Sequence, residues 1–350
     1  MRLLVIRSSA MGDVALTTPV LRAAAEQYPG AEIVLVTRPA FKPFFYSMER
    51  LTLFCPDLRH RHKGIAGLVR LFRDISGTGR FDAVIDLHDV LRSKVLRLFF
   101  RLKGIPAYVI DKGRSGKRSI LSGGNKKKLQ HSVVRYCETF ARAGFPVILT
   151  SGPWILPDPE ALSKTETLAG AGEEFKIGVA PYAKHKLKMW PEKNMAALLG
   201  LIGEKYRAKF FLFGGADESE KLSAFQSGIK NSVNTAGALS LSEELALMSR
   251  LDLMIAMDSS NMHMAALSGT KVVSIWGGTD PLTGFGAWMQ PDEHFVRVPV
   301  DELTCRPCTI YGKGECSRGD LACMNWLTPE IVFRKIENLG ILTLPPSRNI

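Results

Sequence analysis

No apolar run in this 350-residue sequence approaches the roughly 20 residues that a membrane-spanning helix needs. No membrane-spanning helix is expected within it. Its start enters a strand directly, and Arg2 alone is not the charged opening of an export signal, so a cytoplasmic protein is expected. The glycine fingerprint GxGxxG of dinucleotide-binding sites is missing, which disfavours a nicotinamide dehydrogenase. Repeats of solenoid length and low-complexity tracts are absent. No paired acidic motif for Mg²⁺ stands out. Cysteine is scarce, with six in all. Cys55 and Cys137 stand alone and read as small packed hydrophobes.

Charge is unevenly spread. Residues 1–150 hold 26 Lys/Arg against 11 Asp/Glu, a net of +15, whereas residues 151–350 carry −3. A soluble basic domain is the plain reading. The sharper one is an anionic partner for the first half. Few aromatics interleave with the basic clusters at 114–118 and at Lys126, Lys127 and Lys128, so no nucleic acid is expected.

Apolar, β-branched runs alternate with helical patterns. In the first half, runs at 2–7, 32–37, around 82–88 and at 107–111 read as strands, with helices at 14–28, 65–77, 90–103 and 131–143. Residues 112–130, rich in Gly, Ser and Lys, read as a mobile loop, and 145–175 as a linker. Alternation resumes with strands at 175–180, 209–214, 252–257 and 271–277, and closes with a helix near 329–338. The expected architecture is α/β, two doubly wound domains with parallel sheets. Domains are placed at 1–160 and 161–328, with a tail at 329–350 packing back on the first domain.

Polar turns follow the strands. Ser8 to Asp13 follows the first strand and opens a helix, so its amides face the carboxyl end of the sheet. Asp13 is either a helix cap or a general base. Lys184, Lys186 and Lys188 end a later strand as a solvated loop or a phosphate clamp. Glu218 reads as an acidic helix start or a ribose ligand. Asp258, Ser259, Ser260 and Asn261 enter a helix, where free amides and the dipole make an anion site. His263, one turn in, is a packed histidine or part of that site. Cys305, Cys308, Cys316 and Cys323 match a zinc site only in part, because the second half is not CxxC.

Taken together, M-G-D at 11–13, K-x-W-P at 188–191, D-S-x-x-x-H from Asp258 to His263 and G-x-T-D-P at 277–281 resemble the bacterial heptosyltransferases of lipopolysaccharide core synthesis, glycosyltransferase family 9. The resemblance spans nearly the whole chain. It implies a GT-B fold, two Rossmann-like domains facing across a cleft, with acceptor on the first and nucleotide-sugar on the second. It also implies inverting transfer without a metal ion or other cofactor, from a donor expected to be ADP-heptose. By the same resemblance Asp13 is the catalytic base, with Ser9, Met11 and Gly12 beside the acceptor. Lys188, assisted by Lys184, meets the donor phosphates, Glu218 the ribose, and Asp258 with Ser259, Ser260, Asn261, Met262 and His263 the donor sugar and diphosphate. Tyr182 and Ala183 stand where relatives carry a hydroxyl pair that helps bind phosphate, a part that Lys184 or Lys186 is expected to take. The anionic partner becomes a glycolipid acceptor, reached by Lys126, Lys127 and Lys128, with peripheral contact at the inner membrane face. A transferase of the same fold using another nucleotide-sugar, and a non-catalytic nucleotide-sugar-binding protein, stay open.

Overall fold

The computed structural model describes residues 1–124, 126–170 and 172–343. It divides into two compact units, residues 1–113 with 130–156, and residues 114–129 with 157–350.

The first unit is built on a parallel sheet of β1 (Arg2–Ile6), β2 (Glu32–Val36), β3 (Leu51–Phe54), β4 (Ala83–Asp86) and β5 (Ala107–Val109). Their order is β3-β2-β1-β4-β5. Leu4, for example, lies between Val34 and Val84. Central strands buried on both faces must be apolar throughout, and Leu3, Leu4 and Val5 are all buried. Helices cover both faces. On one of them Leu71, Ile75, Leu96 and Phe100 pack against Leu4, Val34 and Val84.

The second unit carries six parallel strands: β6 (Phe175–Ala180), β7 (Ala208–Leu212), β8 (Ser232–Asn234), β9 (Leu253–Met257), β10 (Val272–Trp276) and β11 (Phe295–Arg297). Their order is β11-β10-β9-β6-β7-β8. Read from the other edge, this is the doubly wound order in which the chain turns back at its first strand.

Three expectations shift. The boundary falls at 156/157 rather than 160/161, because Asp158 caps a helix Pro159–Ala169 inside the expected linker. The helix Pro329–Asn338 of the expected tail belongs to the second unit, joining its core through Val332 and Ile336. Its apolar stripe has a ready partner there, and Lys205 pairs with Glu337 at its end. Residues 344–350 of the tail lie outside the described residues. Finally, 114–129 is docked on the second unit. It holds a helix Arg114–Leu121, and the Lys117 ammonium stands 4.2 Å from the Phe285 ring centroid.

Candidate active site

In a doubly wound sheet, ligands bind beyond the carboxyl ends of the strands, where the strand order reverses. In the first unit that point lies between β1 and β4. The turn after β1 carries Arg7, Ser8, Ser9 and, in the short helix Met11–Ala15, Asp13. The turn after β4 carries His88.

Arg7 is the centre of this turn, and sequence reasoning passed it over. Its side chain is buried, and Nη2 meets Asp13 Oδ2 at 2.7 Å. Nη1 donates to the Leu87 carbonyl at 2.5 Å. The guanidinium also faces the Tyr136 ring, whose hydroxyl donates to the Asp13 carbonyl at 3.2 Å. The Ala10 amide reaches Asp13 Oδ2 at 3.4 Å, so the cap reading of Asp13 holds only as a weak contact. The ion pair is the stronger restraint, and it leaves the carboxylate partly exposed. Met11 is half-buried and Gly12 buried.

His88 was also missed. Ser8 Oγ approaches its Nδ1 at 3.3 Å and Ser9 Oγ its Nε2 at 3.1 Å. Burial, with Arg7 and Lys112 nearby, pushes the imidazole down to about 4. It is therefore neutral at physiological pH and ties both serines to the end of β4. Asp86 beneath is fully buried, accepts the His88 amide at 2.9 Å and pairs with Arg97 at 2.8 Å. A polar residue one or two steps beyond a strand was the available signal for Arg7 and His88.

The second unit reverses between β6 and β9. Lys188 follows β6 on a short 3₁₀ turn, Lys186–Lys188, and Asp258 follows β9. Lys188 Nζ meets Asp258 Oδ2 at 2.7 Å, both side chains being mostly buried. Thr279, after β10, donates to the same oxygen at 2.8 Å. A Cβ on Gly312 would stand 2.6 Å from Lys188 Cγ, so that glycine, at a φ of +80°, lets its loop lie against the lysine stem. Trp190 of the K-x-W-P segment is structural. Its indole N–H donates to the Leu327 carbonyl at 2.9 Å.

Ser259 caps the helix Ser260–Leu267 in extended conformation, and its buried Oγ has no hydrogen-bond partner. The first amides of that helix have none within it either. Ser260 and Asn261 are half-buried beside it, whereas Met262 and His263 are buried. Met262 thus faces the core and offers only its backbone. Lys184 is exposed. Lys188, Lys184 and Lys313, after burial, depress the His185 imidazole, which marks a local concentration of positive charge. Glu218 Oε2 accepts the Gly215 amide at 2.9 Å at the end of β7, so it does serve as a cap while remaining half-exposed.

Two expected groups are placed differently. Lys126 Nζ donates to the carbonyls of Val300, Thr304 and Arg306 at 3.3, 3.1 and 2.8 Å. Lys128 pairs with Asp292 at 3.5 Å, and Lys127 is exposed. Lys126 is therefore an anchor, and 114–129 is not the loose loop its composition suggests. The four clustered cysteines are free thiols. Among the described residues no three His, Cys, Asp or Glu side chains gather closely enough to hold a metal ion. Burial pushes the Cys323 thiol up to about 11, and Cys323 packs in the core. The zinc option gains nothing from this arrangement.

The comparisons agree with this geometry. The profile of glycosyltransferase family 9 (heptosyltransferase) matches residues 68–309. Lipopolysaccharide heptosyltransferase 1 of Escherichia coli O18:K1:H7 is 24% identical over 317 residues, covering 87% of this chain and 94% of its own. Two solved structures share the fold. A family 9 glycosyltransferase from Veillonella parvula superposes with a TM-score of 0.74 at 20% identity, covering 97% of this chain and 96% of its own. The E. coli heptosyltransferase WaaC with ADP does so with a TM-score of 0.69 at 21% identity, covering 97% and 99%. Two doubly wound units, each with a polar cluster where its strand order reverses, and a family profile over most of the sequence lead to one assignment: the chain is a glycosyltransferase and belongs to family 9, the heptosyltransferases.

Proposed function

We propose that this enzyme transfers a heptose from ADP-heptose to an acceptor of the lipopolysaccharide core, with inversion and without a metal ion. The observation that carries the reading is the Lys188–Asp258–Thr279 cluster beside the free hydroxyl of Ser259. It gathers an ammonium and two hydroxyls at the switch point of the second sheet, with the Asp258 carboxylate accepting from Lys188 and Thr279. The relatives named as lipopolysaccharide heptosyltransferases, and WaaC with its ADP, support the choice of donor and acceptor.

In this mechanism the acceptor hydroxyl attacks the anomeric carbon on the face opposite the diphosphate. Asp13 takes the hydroxyl proton as the new C–O bond forms. The bond to the phosphate oxygen breaks, and ADP leaves with the electron pair. A nucleoside diphosphate leaves readily once its growing charge is met. Lys188, the Ser259 hydroxyl and the first amides of the Ser260–Leu267 helix meet it, in place of a divalent cation. Arg7 keeps the Asp13 carboxylate in one orientation. Glu218 holds the ribose, with Lys184 near the diphosphate and Ser9, Met11 and Gly12 along the acceptor. The enzyme acts in the cytoplasm.

The test is a transfer assay with ADP-heptose and a heptose-free lipopolysaccharide. Release of ADP, gain of one heptose mass on the acceptor and an inverted anomeric configuration are expected. A nucleotide present at 100 times its Kd should stabilise the fold by about 2.7 kcal/mol. A thermal-shift panel in which ADP has no effect while another nucleoside diphosphate does would replace the donor. Donor binding without transfer to any acceptor would favour a non-catalytic protein.

A further inference from the structure

The helix Leu91–Leu102 in the first unit is apolar on two opposite sides. Leu96 and Phe100 enter the core. At roughly 100° per residue, Leu91, Leu98 and Leu102 fall on a single line pointing the other way. They are 78%, 54% and 76% exposed. Ile65, at the start of the neighbouring helix Gly64–Gly77, is 83% exposed. A surface helix of a globular protein normally turns charged residues outward. Here leucine occupies the outermost line, and the cations stand on its flanks.

Those cations are Arg92 on one side and Lys94 and Arg101 on the other, all exposed, with Lys103 just beyond the helix end. Opposing charge is sparse. Residues 59–103 contain 11 Lys/Arg and four Asp/Glu. Of the acids, Asp86 is buried against Arg97, Asp74 is held by Arg61 and His62, Asp82 accepts the Arg2 amide, and Asp89 stands 3.9 Å from Lys94 and 3.8 Å from Arg97. An apolar ridge set between long basic side chains is the pattern of a helix lying in the headgroup region of a bilayer. The leucines enter the acyl boundary, while lysine and arginine stems extend to the phosphates. Among the described residues no helix is long and apolar enough to cross a membrane, so any attachment through this helix is to the surface.

We infer that the Leu91–Leu98–Leu102 ridge, with Lys94, Arg101 and Lys103 beside it, is a docking surface for an anionic lipid bilayer. Charge decides for this occupant: Asp89 stands near Lys94, but a neutral surface or a second copy of this basic unit would bring no counter-charge to Arg92, Arg101 and Lys103. The inference rests on the lipid-linked acceptor proposed above and names how the enzyme reaches it.

Vesicle co-sedimentation of the full-length chain tests it, using phosphatidylcholine vesicles with and without phosphatidylglycerol. Binding to the anionic vesicles only, weakened by added salt, is expected. The triple variant Leu91→Ser/Leu98→Ser/Leu102→Ser should lower partitioning by about tenfold or more with an unchanged melting temperature, because these side chains leave no cavity. Lys94→Gln/Lys103→Gln, which leaves the ridge intact, should lower it too and flatten its salt dependence. Unchanged partitioning in either variant, or equal binding to neutral vesicles, overturns the proposal. So does a wild-type dimer that the leucine variant dissociates, since the occupant is then a second copy. Failure of heptose transfer with vesicle binding intact would count against the catalytic reading alone.

Discussion

Lys188 and Asp258, oppositely charged residues beyond the ends of β6 and β9, are each other's partner at 2.7 Å. The lysine is therefore held in place before the diphosphate of the proposed mechanism arrives, and Thr279 restrains the carboxylate from another side. Lys188→Ala should weaken ADP binding by about 1.5–3 kcal/mol, the worth of a charge-assisted contact, and hardly change adenosine binding. Titration calorimetry with both ligands checks this. It should also lower the melting temperature, because it leaves a mostly buried carboxylate without its cation. Equal affinity of both proteins for ADP would remove Lys188 from the phosphate.

The second prediction separates Asp13 from Arg7. Asp13→Asn keeps the shape of the side chain and removes the base, so transfer should fall by on the order of 10²–10⁴ with ADP affinity unchanged. Arg7→Ala removes a buried group that restrains Asp13, the Leu87 carbonyl and the Tyr136 ring at once. It should lower both kcat and stability. Full transfer by Asp13→Asn would leave Asp13 as a helix-start residue only.

Much of this site was legible. Both sheets could be read because their central strands are continuous apolar runs, and the turns that follow them carry Asp13, Lys188 and Asp258. The missed strands, Leu51–Phe54, Ser232–Asn234 and Phe295–Arg297, lie at or beside sheet edges and run only three or four residues. So short a segment carries almost no periodic signal. Arg7 and His88 were illegible for another reason. Each acts through partners about 80 positions apart, brought together by the pairing of β1 with β4, and a buried polar network has no local pattern. The helix at 114–121 owes its place to tertiary contacts such as Lys117 on Phe285, which composition does not foretell.

Acid should act through His88. Its folded value, about 4, lies below the ordinary 6.5 of an imidazole because of burial, Arg7 and Lys112. The unfolded chain therefore binds the extra proton in that window, and stability falls as pH drops from about 6.5 to about 4. His88→Gln should flatten the melting temperature over this range. Glu244 works in the opposite sense. Burial raises its carboxyl to about 7, so the folded state holds the extra proton and stability declines as pH rises through 4.5 to about 7. Glu244→Gln should remove that decline. Melting curves of the two variants across the range separate the contributions.

Metal independence follows from the proposed use of Lys188 and the helix start as counter-charge. Transfer after EDTA treatment should equal that of untreated enzyme. Activity that disappears with EDTA and returns with Mg²⁺ or Mn²⁺ would place a cation on the diphosphate and leave Lys188 a lesser part.

The basic cluster at 126–128 divides into separable roles. Lys126 is held by three backbone carbonyls, so Lys126→Gln should lower the melting temperature by loosening the attachment of 114–129 to the second unit. The gap in the ring of carbonyls should cost on the order of 1–3 kcal/mol. Lys127 is exposed, and Lys127→Gln should leave stability unchanged. If the basic first half steers an anionic acceptor through this cluster, Lys127→Gln raises the acceptor KM and reduces its salt dependence, because exposed charge is screened within roughly 8–10 Å at physiological salt. Donor KM should stay constant in both variants. An acceptor KM indifferent to Lys127 while Lys126→Gln destabilises the fold would make the cluster a structural clasp and leave acceptor capture to the rest of the basic surface.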